Sequence, residues 1–249
     1  MPKSKPKLTG KDLANEHRNS IVKLINQVAY NKSAREVFND FVEMAALALA
    51  NAIPHADRAN KEKRYLEIIN SYNNTHQVLL VEMFKELVSA LDAHVRTGGP
   101  EDVLGSIYSE LGINNSRNKQ NFSPQNIADL MASIVFDEDK LSEVIKQQGF
   151  TYVKEFTCGS GVMIMGVCRA MIRNGFSYNA QLLVEALDID IRCVQMTYVQ
   201  LCLYGVPAVV IHGDALSLTE WSRWYTPFYF LDGWYVKRKA MKKQASETI

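Results

Sequence analysis

Apolar residues recur at helical spacing from about Lys11 to Ile113. Ile21, Leu24, Ile25 and Val28 form one run and Val37, Phe38, Phe41, Val42 and Ala45 the next. The same spacing continues over Lys61 to Tyr72 and Thr75 to Thr97. Gly98-Gly99-Pro100 then punctuates the chain, and Asp102 to Leu111 reads as one more short helix. Residues 1–113 are therefore expected to form an all-helical region. The polar, turn-prone stretch from Gly112 to Gln120 is the expected connection to the second half of the chain. Beyond it the pattern changes in kind. Ser123 to Phe136 is an amphipathic helix, after which short apolar runs alternate with helices. The strands are Tyr152-Val153, Gln181 to Leu187 and Ala208 to Ile211, and the helices between them are Gly161 to Asn174 and Ile191 to Leu203. That alternation predicts a parallel sheet with helical crossovers, hence the α/β class. Leu218 to Trp224 does not read as a further apolar strand.

Composition adds exclusions. With 249 residues, 47% hydrophobic and 22% charged, the chain can bury a sizeable core and is not a disordered polymer. A net charge of +1 gives no global attraction to phosphate, so any nucleic-acid contact depends on local charge or a partner. Cys158, Cys168, Cys193 and Cys202 show neither CxxC pairing nor histidines at metal spacing, so no disulfide framework or metal site is expected. No run reaches the roughly 18 apolar residues of a membrane span, and the expectation is a cytoplasmic protein.

The strongest local signal is Tyr152-Val153-Lys154-Glu155-Phe156-Thr157-Cys158-Gly159-Ser160-Gly161, followed by the apolar run Val162 to Ala170. A strand, a turn of small residues and a helix make a cradle that a ligand can approach closely, because Gly159 and Gly161 tolerate unusual dihedrals. A plain strand-to-helix connection has the same pattern. Asp188 ends the second apolar run 27 positions after Gly161, close to the spacing at which a carboxylate meets ribose hydroxyls in dinucleotide folds. Asp214, after the third run, is placed to accept from an exocyclic amine. Both acids also suit the ordinary role of capping the next element, and Asp190 is assigned that role outright. Ser123, just before Pro124, is a suitable helix N-cap.

These segments resemble a known family when taken in order. Asn121-Phe122-Ser123-Pro124 is similar to the Phe-Thr-Pro segment that precedes the cofactor domain of adenine-N6 DNA methyltransferases, particularly the modification subunits of type I restriction systems. Glu155 to Gly161 resembles their Asp-Pro-x-Cys-Gly-Ser-Gly loop. Leu187-Asp188-Ile189-Asp190 and Gly213-Asp214 are similar to their second and third cofactor motifs. The resemblance covers roughly Asn121 to Leu216. It implies an abbreviated Rossmann-like S-adenosylmethionine-dependent methyltransferase domain over residues 114–235, behind the helical region. It also implies roles. Phe122 and Ser123 would line the methionine end, with Gly159, Ser160 and Gly161 beneath it; Glu155 would face the methionine amine, and Thr157 would belong to the same cofactor site. Asp188 would hold the ribose, Ile189 the adenine face and Asp214 the adenine amine. DNA is the partner implied.

The sequence departs from that family where the chemistry is done. The family's Asn/Asp-Pro-Pro-Tyr/Phe motif, whose polar side chain accepts from the target amine while the aromatic stacks on a flipped base, has no counterpart. The nearest candidate is Thr226-Pro227-Phe228-Tyr229, with Thr226, Pro227 and Tyr229 as the catalytic residues it would offer. The alternative is an aromatic segment that packs against the sheet or a partner. Glu155-Phe156 stands where the family has Asp-Pro, and only 35 residues follow Asp214, so an abbreviated sheet is expected. Residues 236–249 form a basic tail, either solvated or touching phosphate. Three functions stay open: an active methyltransferase; a catalytically silent relative serving as a binding or regulatory module, alone, as a homo-oligomer or with a partner protein; and a nicotinamide-dependent enzyme using the same glycine turn.

Overall fold

The computed structural model describes residues 9–112, 122–231 and 233–238. All of the expected connection from Gly112 to Gln120 except Gly112 itself, and most of the basic tail, lie outside the described residues.

Five helices come first: α1 (Gly10–Val28), α2 (Ala34–Asn51), α3 (Arg58–Ile69), α4 (Asn74–Thr97) and α5 (Val103–Glu110). Their starts are set by side chains that accept from otherwise unpaired amides. Thr9 and Ser33 form capping boxes with Asp12 and Glu36, and Asn73 and Asp102 cap α4 and α5. The apolar faces of these helices meet as the periodicity predicts, with Ile21, Ile25, Val37, Phe38, Phe41, Leu87 and Leu104 almost wholly buried.

The second half runs α6 (Gln125–Val135), α7 (Glu138–Gln148), β1 (Thr151–Glu155), α8 (Val162–Arg173), α9 (Tyr178–Gln181), β2 (Leu182–Asp188), α10 (Ile191–Leu203), β3 (Ala208–Asp214), β4 (Thr219–Tyr225) and α11 (Pro227–Leu231). The sheet order is β1-β2-β3-β4, parallel through β3, with β4 antiparallel on the outer edge of β3. The α/β class and the helical lead-in are as expected, and the parallel part is one half of a doubly wound sheet.

Two expectations are corrected. Leu218 to Trp224 does contain a strand, because an antiparallel edge strand needs only one buried face, and β4 leaves Thr219, Glu220 and Trp221 exposed. Ser123 is not the N-cap of α6. Pro124 holds the capping position with extended backbone, so the helix starts one residue later and the serine hydroxyl does not cap it.

The two halves share one core. Phe38, Leu87 and Leu104 from the helical half belong to the same buried cluster as Met165, Val184, Val194 and Val210 around the sheet. Helix α6 packs closely on α8 because Gly166 has no side chain; a Cβ there would lie 2.7 Å from the Ala128 carbonyl oxygen. The other face of the sheet carries a smaller cluster of Phe150, Leu183, Val209, Ile211, Tyr229 and Trp234. Arg238, assigned by sequence to a basic tail, is buried there and ion-paired with Glu185 of β2. Among the described residues no helix is long and apolar enough to cross a membrane.

Candidate functional site

A cavity of about 860 Å³ opens at the carboxyl ends of the parallel strands, where ligands bind in open α/β sheets. Its floor is the turn after β1. Gly159 adopts φ +55°, a left-handed conformation, and a Cβ there would press to 3.2 Å from the Phe122 ring that forms the facing wall. The turn leads into α8, whose N-cap residue is Gly161, at φ +95° and with no side chain to satisfy the helix's first amides. Val162 and Met163 of that first turn line the cavity. Uncapped amides at a helix N-terminus suit a ligand carboxylate.

The carboxyl end of β2 supplies the acid. One Asp188 oxygen accepts from the Gly159 N–H and the other from the Asp190 N–H, each at 2.9 Å. The side chain thereby locks the glycine turn to the end of β2. Each oxygen keeps further lone-pair capacity, so two vicinal hydroxyls could still be accepted. Burial pushes the Asp188 pKa up, against the lowering effect of those backbone bonds. Beyond it Ile189 is 62% exposed, an apolar surface held open at the cavity. Asp190 caps α10 by accepting from the Arg192 N–H at 2.9 Å, the role expected of it.

The cavity thus gathers Phe122, Ser123, Thr157, Gly159, Asp188 and Ile189 from the residues singled out by sequence. It does not gather the rest. Asp214 lies in a separate groove with Glu155, Phe156 and Glu220. Its carboxylate accepts from the Leu216 N–H and the Ser217 hydroxyl, and these bonds, which close the β3-to-β4 turn, hold its pKa down. Glu155 turns into the same groove and accepts from the Thr157 N–H at 3.2 Å. Ser160 is wholly buried behind the floor and Gly161 packs against Thr197, so neither faces the cavity.

The segment Thr226-Pro227-Phe228-Tyr229 does not join the cavity. Because β4 runs antiparallel, its end lies beside the start of β3. The Thr226 hydroxyl accepts from the Ala208 N–H at 2.9 Å and donates to the Val206 carbonyl at 2.8 Å. With a rise of about 3.3 Å per residue, the length of β3 puts Thr226 roughly 20 Å from the carboxyl ends of the strands. Pro227 opens α11, and Tyr229 is buried on the second face of the sheet among Tyr225, Phe230 and Trp234. The packing alternative is the one observed for this segment.

His212, Arg192 and Cys193 also line the cavity; the sequence reads a strand-end His212 as structural and marks neither Arg192 nor Cys193 as a site residue. The His212 ring is within 3.2 Å of the Ile189 carbonyl oxygen through Nε2 and edge-on to Trp221 at 4.6 Å between centroids. Its position at a strand end was visible in the sequence, but its approach to residue 189 depends on the register between β2 and β3.

No protein-family model matches this sequence, and no curated protein matches it. Solved structures give a partial likeness. A protein assigned to the class I S-adenosylmethionine-dependent methyltransferases, from Listeria monocytogenes, superposes with a TM-score of 0.42 at 13% identity, over 81% of this chain and 55% of that one. A type I restriction-modification methyltransferase subunit from Streptococcus thermophilus gives 0.40 at 15% identity, over 86% of this chain and 60% of that one. The chain therefore spans little more than half the length of either.

Proposed function

We propose that this chain is an S-adenosylmethionine-binding module that does not itself carry the methyl-acceptor machinery of an adenine-N6 DNA methyltransferase. The observation that carries the reading is the Asp188 carboxylate bonded to the Gly159 amide across the mouth of one cavity. It sets a hydroxyl acceptor directly beside the glycine turn, both on the lining of the same cavity.

The chain's residues fit that cofactor. The uncapped first turn of α8 favours the carboxylate of the methionine moiety, and Phe122 and Ser123 wall that end. Asp188 accepts from the ribose hydroxyls, and exposed Ile189 offers an apolar face to the adenine. When bound, the cofactor supplies an electrophilic methyl group on a sulfonium. DNA adenine as the acceptor class rests on the ordered motif resemblance from Asn121 to Leu216. The silent-module reading is favoured over the active one because Thr226 and Tyr229 are packing residues at the opposite end of the sheet.

Calorimetric titration of the purified chain with S-adenosylmethionine and, separately, with NAD tests this. Binding of the first and not the second is expected, and Asp188→Ala should weaken it at least tenfold, the scale of losing hydrogen bonds to a charged acceptor. Tritium transfer from labelled cofactor to DNA by this chain alone should be absent. Robust transfer that Thr226→Ala abolishes would overturn the silent-module reading.

A further inference from the structure

Helix α5 belongs to the helical region, yet it supports the cavity at two points, through Ser160 behind the glycine turn and through Phe122 on the wall. The first is behind the glycine floor. Asp102, the N-cap of α5, accepts from the Ser160 hydroxyl and, at 3.0 Å, from the Gln200 side-chain amide of α10, while also capping Gly105 N–H at 2.8 Å. Gln200 is shared: its carbonyl oxygen accepts from the Val103 and Leu104 amides at 2.8 and 3.1 Å, and its amide donates to the Ser160 carbonyl at 2.9 Å. Any side chain on Gly105 would collide with both the Asp102 carboxylate and the Ser160 hydroxyl. The contact is thus close-packed as well as hydrogen-bonded.

The second point is the wall. Tyr108 of α5 stands edge-on to Phe122 at 5.1 Å between centroids and edge-on to Phe38 of α2 at 5.9 Å. Phe122 in turn lies against Gly159. A line of rings therefore runs from the helical core to the cavity floor.

We propose that α5 is a clamp that makes the helical region part of the cofactor site. Asp102 and Tyr108 are positioning residues that hold the floor and the Phe122 wall, so occupancy of the cavity is linked to the docking of α5. This rests on the cavity being the S-adenosylmethionine site. Two groups on one rigid helix, each fixing one side of a ligand pocket, must gain order when the ligand fixes the pocket. The coupling reverses as well: loosening α5 must weaken the ligand.

The test is hydrogen exchange on the full chain with and without S-adenosylmethionine, alongside calorimetry of Asp102→Asn, Ser160→Ala, Tyr108→Leu and Tyr108→Phe. Ligand is expected to slow exchange at the amides of residues 103–106, which do not line the cavity. Asp102→Asn and Ser160→Ala should each weaken binding about tenfold, the scale of one charge-assisted hydrogen bond. They should also remove the protection on α5 while keeping that at residues 189–193. Tyr108→Leu should weaken binding several-fold, and Tyr108→Phe, which keeps the ring, should restore it. Protection confined to cavity residues, or wild-type affinity in Asp102→Asn, would overturn the clamp. If the wild type does not bind at all, the cofactor reading fails, and the clamp is then judged without ligand. Asp102→Asn must speed exchange at residues 159–161 and leave β3 unchanged; equal exchange at both would overturn it.

Discussion

Opposing demands meet on Asp188. Burial raises its pKa above the ordinary 3.8, while the Gly159 and Asp190 amides favour the carboxylate. Only the ionised form keeps both oxygens as acceptors for hydroxyls. S-adenosylmethionine affinity should therefore be constant near neutrality and fall as pH drops through a midpoint above 3.8. Asp188→Asn should bind weakly with no such dependence. Stability has the opposite sign: a raised acid pKa in the folded chain means this group costs stability as pH rises from 3.8 through its folded value, and the cost is complete above it. Calorimetry across acidic pH reads the first effect and thermal unfolding the second. The cysteines make a simpler case. All four thiols are buried, and desolvation pushes their pKa values far up. The native chain should react slowly with a disulfide reagent at neutral pH and rapidly once denatured. Fast reaction of the native protein at Cys168 or Cys202, which do not line the cavity, would show that the core opens.

Gly159 and Asp188 were legible in the sequence because the first lies in the small-residue turn that follows β1 and the second ends the apolar run of β2, which fixes their end of the sheet. Ser160 was not. Its partner Asp102 lies 58 residues away, and nothing local marks a buried serine hydroxyl as a loop anchor. Glu155 and Asp214 show the converse, since the right residue types at the right spacing face a neighbouring groove once the β3-to-β4 turn claims Asp214.

Among the elements, β4 decides most. Its direction could not be read from Thr219 to Tyr225, because a half-exposed strand carries little apolar signal and the pattern is the same in either direction. Direction is what separates Thr226 from the cavity. The expected consequence is that Thr226→Val acts on stability and not on the ligand. It removes a buried hydroxyl that satisfies the Ala208 amide, at a cost of about 1–3 kcal/mol. Chemical denaturation should show that loss, with S-adenosylmethionine affinity unchanged; a large affinity loss in a stable variant would return the segment to the site. The N-terminal helices were legible almost throughout, since capping boxes and the 3.6-residue period are local. Helix α7 was missed because its apolar face is a single turn, Leu141, Val144 and Ile145, and none of it is fully buried.

At the scale of the molecule, the all-helical region and the sheet were separable in sequence by their periods but not in energy. Their buried residues form one cluster, in which Phe38 and Leu104 belong with Val184 and Val210. Heat should therefore unfold the chain in a single transition whose calorimetric and van't Hoff enthalpies agree, and two resolved transitions would contradict the shared core. Periodicity assigns each helix a face but says nothing of which distant face it meets, so this continuity was outside the reach of the sequence.

Whether one cavity, floored by Gly159 and gripped by Asp188, holds the cofactor's nucleoside is decided by a crystal structure of the chain grown with S-adenosylhomocysteine. The expected density has the ribose hydroxyls on Asp188, the adenine against Ile189 and the amino-acid end between Phe122 and the start of α8. The nucleoside seated instead in the groove of Glu155 and Asp214, or bound in the cavity with its hydroxyls away from Asp188, would contradict it.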